Sequence, residues 1–253
     1  MTDMADTISL KARLLPHLPY LRRHARALAG SQGSGDQLVR AALESVLADQ
    51  AILAALQADP RVGLFRLLHR FWQPVARAGA VAGREALLLT AVEGFTAAEA
   101  GLVLDCDAHS ITAAVAAATA DIHNAIRSRV LIIEDEPIIA MHLESIATDM
   151  GHEVVATAIT RDEALAAARQ HQPGLVLADV QLADGSSGID AVADILAERD
   201  LPVVFITAYP ERLLTGEYSE PTYLVTKPFQ TETVFATVGQ ALLARQDGLA
   251  PAA

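Results

Sequence analysis

The chain has 253 residues and a formal net charge of −12, and 52% of its residues are apolar but only 4% aromatic. This length is sufficient for two domains with separate cores, and the alanine-rich composition favours packed helices over an all-β sandwich. The sequence has no charge-free apolar stretch of about 18 residues, no signal-peptide pattern at its acidic start and a single cysteine, Cys106. We therefore expect a cytoplasmic protein without membrane spans or internal disulfides.

Helical periodicity covers the N-terminal half. Apolar residues recur three and four positions apart from residue 8 to residue 126, which predicts an all-α domain over residues 1–126. Breaks between its helices are expected where glycine and proline gather, at residues 30–35, 59–60 and 78–83.

Residues 96–122 predict two helices joined by a short turn. Thr96 and Glu99 have the spacing of a capping box, and Ser110 is the expected N-cap of the second helix. This is a helix-turn-helix pattern, which favours DNA binding. An ordinary helical bundle is the alternative for this segment.

The charges of the helix-turn-helix segment oppose DNA binding. A DNA-reading helix needs arginine or lysine, yet no basic residue occurs between Arg84 and Arg127, where six acidic residues lie. The positions expected to be exposed are occupied by alanines, at Ala113, Ala116, Ala117 and Ala118. Residues 1–126 have a net charge of −1, from 11 basic and 12 acidic side chains, so we expect no DNA binding.

The C-terminal half, residues 127–253, has a different pattern and a net charge of −11, from 8 basic and 19 acidic side chains. Short apolar runs predict five strands, at residues 130–133, 154–156, 175–178, 203–206 and 223–225. Amphipathic stretches predict helices at 137–150, 161–171, 189–198 and 231–245. This alternation is typical of an α/β domain with helices on both faces of a parallel sheet.

Chemically reactive side chains follow the predicted strands, where open parallel sheets place their working residues. The run Glu134-Asp135-Glu136 follows the first strand, Asp179 the third, Thr207 the fourth and Lys227 the fifth. Lys227 is one of only two lysines against 17 arginines, which argues against a surface filler.

This set of residues suits phosphoryl transfer. Carboxylates of Asp135 and Asp179 suit Mg²⁺, with Glu134 bound through a water molecule. Asp179 would attack phosphorus, Lys227 would contact a phosphoryl oxygen, and Thr207 would donate its hydroxyl. A stand-alone metal-dependent phosphatase with the same carboxylates is a further alternative.

Glu134-Asp135, Asp179, Thr207 and Lys227-Pro228 together resemble the signature of two-component receiver domains, over about residues 129–245. The resemblance implies a flavodoxin-like five-stranded parallel sheet of order 2-1-3-4-5. It also implies phosphorylation of Asp179 by a sensor histidine kinase, Mg²⁺ bound in addition by the backbone carbonyl of Gln181, and a cis peptide before Pro228.

One position departs from the receiver pattern. Most receivers have an aromatic residue three positions before the lysine, and this chain has Leu224 there. Tyr209, two residues after Thr207, is the expected substitute in relaying the switch, with a packing role as the alternative.

The N-terminal half resembles sigma factors of the extracytoplasmic-function class: the helix-turn-helix resembles their region 4, and residues 14–49 their region 2. A sigma-like domain ahead of a receiver resembles the PhyR family, general stress response regulators of alphaproteobacteria. The resemblance implies partner switching: the phosphorylated protein binds a NepR-like anti-sigma factor and frees a sigma factor, and before that the two halves dock on each other. It implies no enzymatic activity beyond self-phosphorylation. A DNA-binding transcriptional regulator is the alternative function.

Overall fold

The computed structural model describes residues 12–48, 52, 56–72, 81–125, 127–182, 185–210, 213 and 221–246. The chain divides into two compact units, Met1–Ala118 and Thr119–Ala253. The first is helical and the second is built on a β-sheet. Each unit has its own buried apolar residues, as expected for separate cores.

The described helices of the N-terminal half are α1 (Leu18–Ala29), α2 (Gln32–Ala48), α3 (Pro60–Trp72), α4 (Val81–Leu87), α5 (Ala97–Leu104) and α6 (Ala108–Ala125), the last of which continues past the boundary at Ala118. A 3₁₀ turn, Leu15–His17, precedes α1, and a π-helical turn, Leu88–Val92, follows α4. Leu21 and Leu28 of α1 are completely buried, as are Leu68 of α3 and Leu89. The predicted all-α character of this half is confirmed.

The predicted break at residues 30–35 is shorter in the structure. Gly30 ends α1 in the left-handed conformation with φ 73°, and α2 begins at Gln32. Gly35 is helical, and a Cβ there would lie 2.6 Å from the backbone nitrogen of Arg26. This glycine therefore permits close packing of α1 on α2 and does not form a turn. Of the break predicted at 78–83, residues 78–80 lie outside the described part of the chain, and Gly83 is in α4.

The helix-turn-helix is present in residues 97–122, where α5 and Ala108–Ile122 of α6 meet at 97°. The capping box is confirmed, because Glu99 N–H donates to Thr96 Oγ1 and Thr96 N–H donates to Glu99 Oε2. The cap predicted for the second helix is wrong. Asp107 precedes α6, and its Oδ1 accepts a hydrogen bond from the backbone of Ser110 at 2.7 Å.

The second unit has β1 (Arg129–Ile133), β2 (Glu153–Ala158), β3 (Leu175–Asp179), β4 (Val203–Thr207) and β5 (Tyr223–Thr226). Its helices are α7 (Pro137–Asp149), α8 (Arg161–His171), α9 (Gly188–Glu198) and α10 (Thr231–Gln246). All four strand pairs are parallel and the order is β2-β1-β3-β4-β5, which confirms the predicted flavodoxin-like topology.

The central strands of this sheet are buried on both faces. All residues of β3 and all but the first of β1 are buried, as covered parallel sheets require. The sheet therefore holds the ends of β1, β3, β4 and β5 at one rigid edge. Among the described residues, no single helix has the length and hydropathy to cross a membrane; α5 with part of α6 passes on length and composition only as a bent pair.

Candidate functional site

The residues predicted from the strand ends lie at one edge of the sheet. Asp179 is the last residue of β3 and pairs with Ile206 of β4, so Thr207 is the next residue on the neighbouring strand. Thr207 pairs in turn with Thr226, which precedes Lys227. The fold thus brings residues almost 100 positions apart to one edge of the sheet.

Lys227 connects the carboxylates of this edge. Its Nζ lies 2.8 Å from Oδ2 of Asp179 and 2.8 Å from Oε2 of Glu134. The Glu134 side chain is completely buried, and those of Asp179 and Lys227 are each 10% exposed. Two buried carboxylates without a cation would be unfavourable, and the ammonium of Lys227 stabilises both.

The electrostatics of this edge are dominated by burial and by Lys227. Burial raises the pKa of Glu134 above its ordinary 4.5, although the hydrogen bond from Lys227 opposes this. Burial by itself lowers the pKa of Lys227, but the hydrogen bonds to Asp179 and Glu134 outweigh it, and the pKa is raised above 10.5. Lys227 is therefore an ammonium at neutral pH and places a positive charge at this edge of the sheet.

The Asp179 carboxylate is oriented by the backbone that follows it. Its Oδ1 accepts hydrogen bonds from the backbone of Val180 at 2.5 Å and of Gln181 at 3.4 Å. Gly188 at the start of α9 lies so close that a Cβ would be 1.7 Å from the Asp179 carbonyl oxygen. Only glycine fits at position 188, and the start of α9 fixes the Asp179 peptide.

Thr207 and Tyr209 lie on the next strand end. Thr207 is buried, and its Oγ1 accepts a hydrogen bond from the backbone of Tyr209 at 3.1 Å. Tyr209 is 43% exposed. Leu224 is buried in β5 opposite Phe205, so the position of the usual aromatic belongs to the sheet core. The peptide bond between Lys227 and Pro228 is cis, as the resemblance implied.

A third carboxylate that the sequence left without a role, Glu136, joins the group. Carboxylate oxygens of Glu134, Glu136 and Asp179 all lie within 4.8 Å of one another, the only such group of metal-ligand type in the described residues. Glu136 Oε1 is also 3.5 Å from Lys227 Nζ. Asp135 is half-buried beside this group but is not a member of it, and Gln181 is exposed and bridged to Ser187. The signal for Glu136 was the run of three acids after β1.

The surface of the helix-turn-helix is small and apolar. Ala113, Ala116 and Ala117 are exposed as predicted, but Ala118 is buried, because it faces Gly83 of α4. Leu102 of α5 is 58% exposed. The geometry of a DNA-binding motif is retained without cations on its described surface.

Three family models match the chain. Residues 14–69 match the sigma2 domain of PhyR, residues 80–125 the sigma-like domain of the response regulator PhyR, and residues 130–239 the response regulator receiver domain. The phyllosphere-induced regulator PhyR of Methylorubrum extorquens is 43% identical over 252 residues, covering 92% of this chain and 94% of that protein.

Solved structures give the same result. PhyR from Brucella abortus has a TM-score of 0.87 and 50% identity, covering 94% of this chain and 96% of that one. The anti-anti-sigma factor PhyR from Bartonella quintana has a TM-score of 0.88 and 48% identity, covering 94% and 98%. The Bartonella protein has also been solved in complex with the anti-sigma factor NepR, at 47% identity, 92% and 99% coverage and a TM-score of 0.43. The chain belongs to the PhyR family of response regulators, with a sigma-like region ahead of a receiver domain.

Proposed function

We propose that the chain is a phosphorylation-gated anti-anti-sigma factor. Phosphorylation of Asp179 by a sensor histidine kinase lets the sigma-like domain, residues 1–126, bind a NepR-like anti-sigma factor, which frees a general stress sigma factor. Residues 127–253 form the receiver. The observation that carries the proposal is the 2.8 Å contact of Lys227 with Asp179 at the sheet edge. The freed sigma factor acts on RNA polymerase, so we propose that the protein works in the cytoplasm.

The receiver chemistry is one phosphoryl transfer. A carboxylate oxygen of Asp179 attacks the phosphorus of a phosphohistidine, the P–N bond breaks, and the donor imidazole takes the released electron pair and a proton. The product is an acyl phosphate on Asp179. Lys227 is positioned to pair with a phosphoryl oxygen, and Thr207 offers a hydroxyl on the adjacent strand, so these two residues read the modified state. Tyr209 is the proposed relay from Thr207 to the surface.

The donor set at this edge fits Mg²⁺. Hard carboxylate oxygens gather there, and Mg²⁺ is held by few protein carboxylates together with water. We propose Glu134, Asp135, Asp179 and the carbonyl of Gln181 as its ligands, and the position of Glu136 adds a fourth carboxylate. When bound, Mg²⁺ supplies positive charge against the phosphoryl oxygens. Removal of the ion with a chelator should stop phosphorylation but leave Lys227 paired with its carboxylates.

The helix-turn-helix supports a protein partner. Its two helices keep the crossing angle of a DNA-binding motif, but the exposed face presents alanines and Leu102 in place of cations. Such a surface can match a protein groove shaped for a sigma factor, whereas it offers a phosphate backbone no charge. The Bartonella relative is described as an anti-anti-sigma factor, which supports a protein partner for this chain as well.

The direct test is binding of a NepR-type anti-sigma factor to the full-length chain, measured by calorimetry with and without acetyl phosphate and Mg²⁺. We expect tight binding only when both are present. Acetyl phosphate without Mg²⁺, and Mg²⁺ without acetyl phosphate, are the matched controls. Equal affinity under all conditions would contradict the phosphorylation gate, and no binding under any would contradict the partner.

Lys227→Ala should separate phosphorylation from output. Asp179 remains as the acceptor, but the cation that reads the phosphoryl group is absent, so we expect a phosphorylated chain that binds the anti-sigma factor at least about tenfold more weakly, or ~1.4 kcal/mol. Phosphate content and binding are measured on the same sample. A variant with full phosphate and full affinity would exclude this role for Lys227.

Residues 1–126 should not bind promoter DNA, in contrast to the alternative function that the helix-turn-helix geometry favours. The interval between Arg84 and Arg127 contains no basic residue, and the domain has a net charge of −1. A gel-shift assay at physiological salt should therefore show no sequence-specific complex. Tight, salt-dependent and sequence-specific binding would reverse the ranking of the two functions.

A further inference from the structure

A buried polar cluster connects the two segments that the sigma-like family models match. Arg23 and His24 lie in α1, and His69 lies near the end of α3. Glu85 lies in α4, and Glu93 lies in the turn after the π-helical residues Leu88–Val92. Each is between 1% and 8% exposed. The first three lie in the matched residues 14–69 and the two glutamates in the matched residues 80–125. Receiver chemistry uses none of them.

The centre of this cluster is a contact between two imidazoles. His24 Nε2 lies 3.0 Å from His69 Nε2, which is hydrogen-bond distance. An N–H···N bond needs one protonated and one unprotonated nitrogen, so at least one of the rings must be neutral. Two imidazolium rings would place two N–H groups and two positive charges face to face. The ring of His24 also packs on Phe65 at 5.1 Å, away from water.

The surrounding charges indicate which ring is neutral. Arg23 holds Glu93 by two hydrogen bonds, of 2.7 Å and 3.2 Å, and so satisfies that carboxylate. Glu85 Oε2 lies 3.4 Å from His69 Nδ1, so this carboxylate is on the His69 side of the pair. His24 Nδ1 is 3.9 Å from the Glu93 carboxylate that Arg23 already neutralises. The arrangement fits a neutral His24 accepting from His69.

We propose that these residues form an acid-sensitive clasp, which holds the two sigma-like segments together while His24 is neutral and loosens when His24 takes up a proton. The groups that face His24 include the cations Arg23 and Arg84, the His69 ring and the carboxylate of Glu93, with Glu85 behind His69. When His24 is protonated, its Nε2 can no longer accept a hydrogen bond from His69, and the N–H···N bond is lost.

The direction of the pH effect follows from His24. Burial, His69, Arg23 and Arg84, in that order, hold its pKa well below the ordinary 6.5. Below about pH 6.5 the unfolded chain takes up a proton that the folded unit excludes, so the unit loses stability as the pH falls. One excluded proton changes the folding equilibrium by up to about tenfold per pH unit. The consequence for anti-sigma binding rests on the proposed function.

Trp72 makes the clasp measurable in the full-length protein. It is the single tryptophan of the chain and lies three residues after His69, at the end of α3. Its fluorescence therefore reports the sigma-like unit and not the receiver. We expect the urea concentration at the unfolding midpoint to be lower at about pH 5.5 than at about pH 7.5. The decrease should be smaller in His24→Gln, because its amide can still pair with His69 but does not titrate. His109→Gln, an exposed histidine of the same unit, is the matched control and should behave as wild type.

Two outcomes would overturn the clasp: an equal midpoint shift in wild type and His24→Gln, or an equal reduction of the shift in His109→Gln.

Should His24→Gln not fold, long-range ¹H–¹⁵N spectra of wild type decide. We expect one unprotonated and one protonated Nε2 in the pair, and two rings titrating independently near pH 6.5 would refute it. Anti-sigma binding of the phosphorylated chain should weaken in acid in wild type more than in His24→Gln. Because the fluorescence assay needs no partner, failure of the proposed function and failure of the clasp are distinguishable.

Discussion

Asp179→Ala should abolish incorporation of a phosphoryl group from acetyl phosphate or from a phosphorylated kinase. Asp179 is the carboxylate at the end of β3 that faces Lys227 at 2.8 Å and is oriented by the backbone of Val180. Removing it removes the nucleophile, while Glu134 still neutralises Lys227 at 2.8 Å, so the fold should persist. Radiolabelled donor or a phosphate-affinity gel gives the readout.

Asp149→Ala is the matched control for this substitution. Asp149 is an exposed aspartate at the end of α7, away from the strand ends, and its loss should leave labelling unchanged. Asp179→Asn should also take up no label, because an amide is a far weaker nucleophile than a carboxylate. Stable labelling of either Asp179 variant would move the acceptor to another carboxylate, with Glu134 and Glu136 as the candidates.

The receiver fold could be predicted in detail because each of its parts has a local signal. Buried parallel strands are short continuous apolar runs, and the connecting helices repeat apolar residues at helical spacing. The rule that parallel strands place their carboxyl ends at one edge then brings Asp179, Thr207 and Lys227 together without any knowledge of contacts.

Features that depend on the path of the backbone could not be predicted to the residue. The run Glu134-Asp135-Glu136 indicates an acidic site. The turn after β1 determines which of the three carboxylates lie close to Asp179. The cap of α6 is a similar case. Asp107 and Ser110 are both good caps three residues apart, and the left-handed Asp105 at the end of α5 sets where the next helix begins.

The buried cluster of the sigma-like unit has almost no local signal. His24 and His69 are 45 positions apart, and Arg23 and Glu93 are 70 apart, so only the packing of α1 against α3 and the turn before α5 brings them together. The available hint was the position of Arg23 and His24 in α1, between the buried Leu21 and Leu28. Charged residues on the face of a helix that carries its buried leucines indicate buried partners elsewhere in the chain.

Residues 1–126 on their own should bind the anti-sigma factor without any phosphodonor, whereas the full-length unphosphorylated chain should bind much more weakly. A sigma-like surface that was always available would signal constantly, so the unphosphorylated receiver must reduce the binding-competent population. If it leaves about 1% competent, the apparent affinity falls roughly a hundredfold, or ~2.7 kcal/mol.

We propose that the inhibitory surface is formed by the receiver elements next to Thr207 and Lys227. They are residues 210–216, of which Pro210 and Leu213 are described, together with β5 and α10. The backbone of Lys227 donates to the Thr207 carbonyl at 2.8 Å. A shift at either residue can therefore be passed to the end of β5, to the start of α10 and to the segment that begins at Pro210. Movement caused by the phosphoryl group can then release the sigma-like domain.

Titration calorimetry on three samples decides whether the receiver acts in this way: residues 1–126, the full-length chain, and the full-length chain with acetyl phosphate and Mg²⁺. We expect the first and third to bind with similar affinity and the second to bind about a hundredfold more weakly. Equal affinity of the first two would mean that the receiver does not gate by occlusion. If residues 1–126 bind weakly and the phosphorylated full-length chain binds tightly, the phosphorylated receiver itself contributes to the binding surface. Occlusion alone cannot make the free domain the weaker binder.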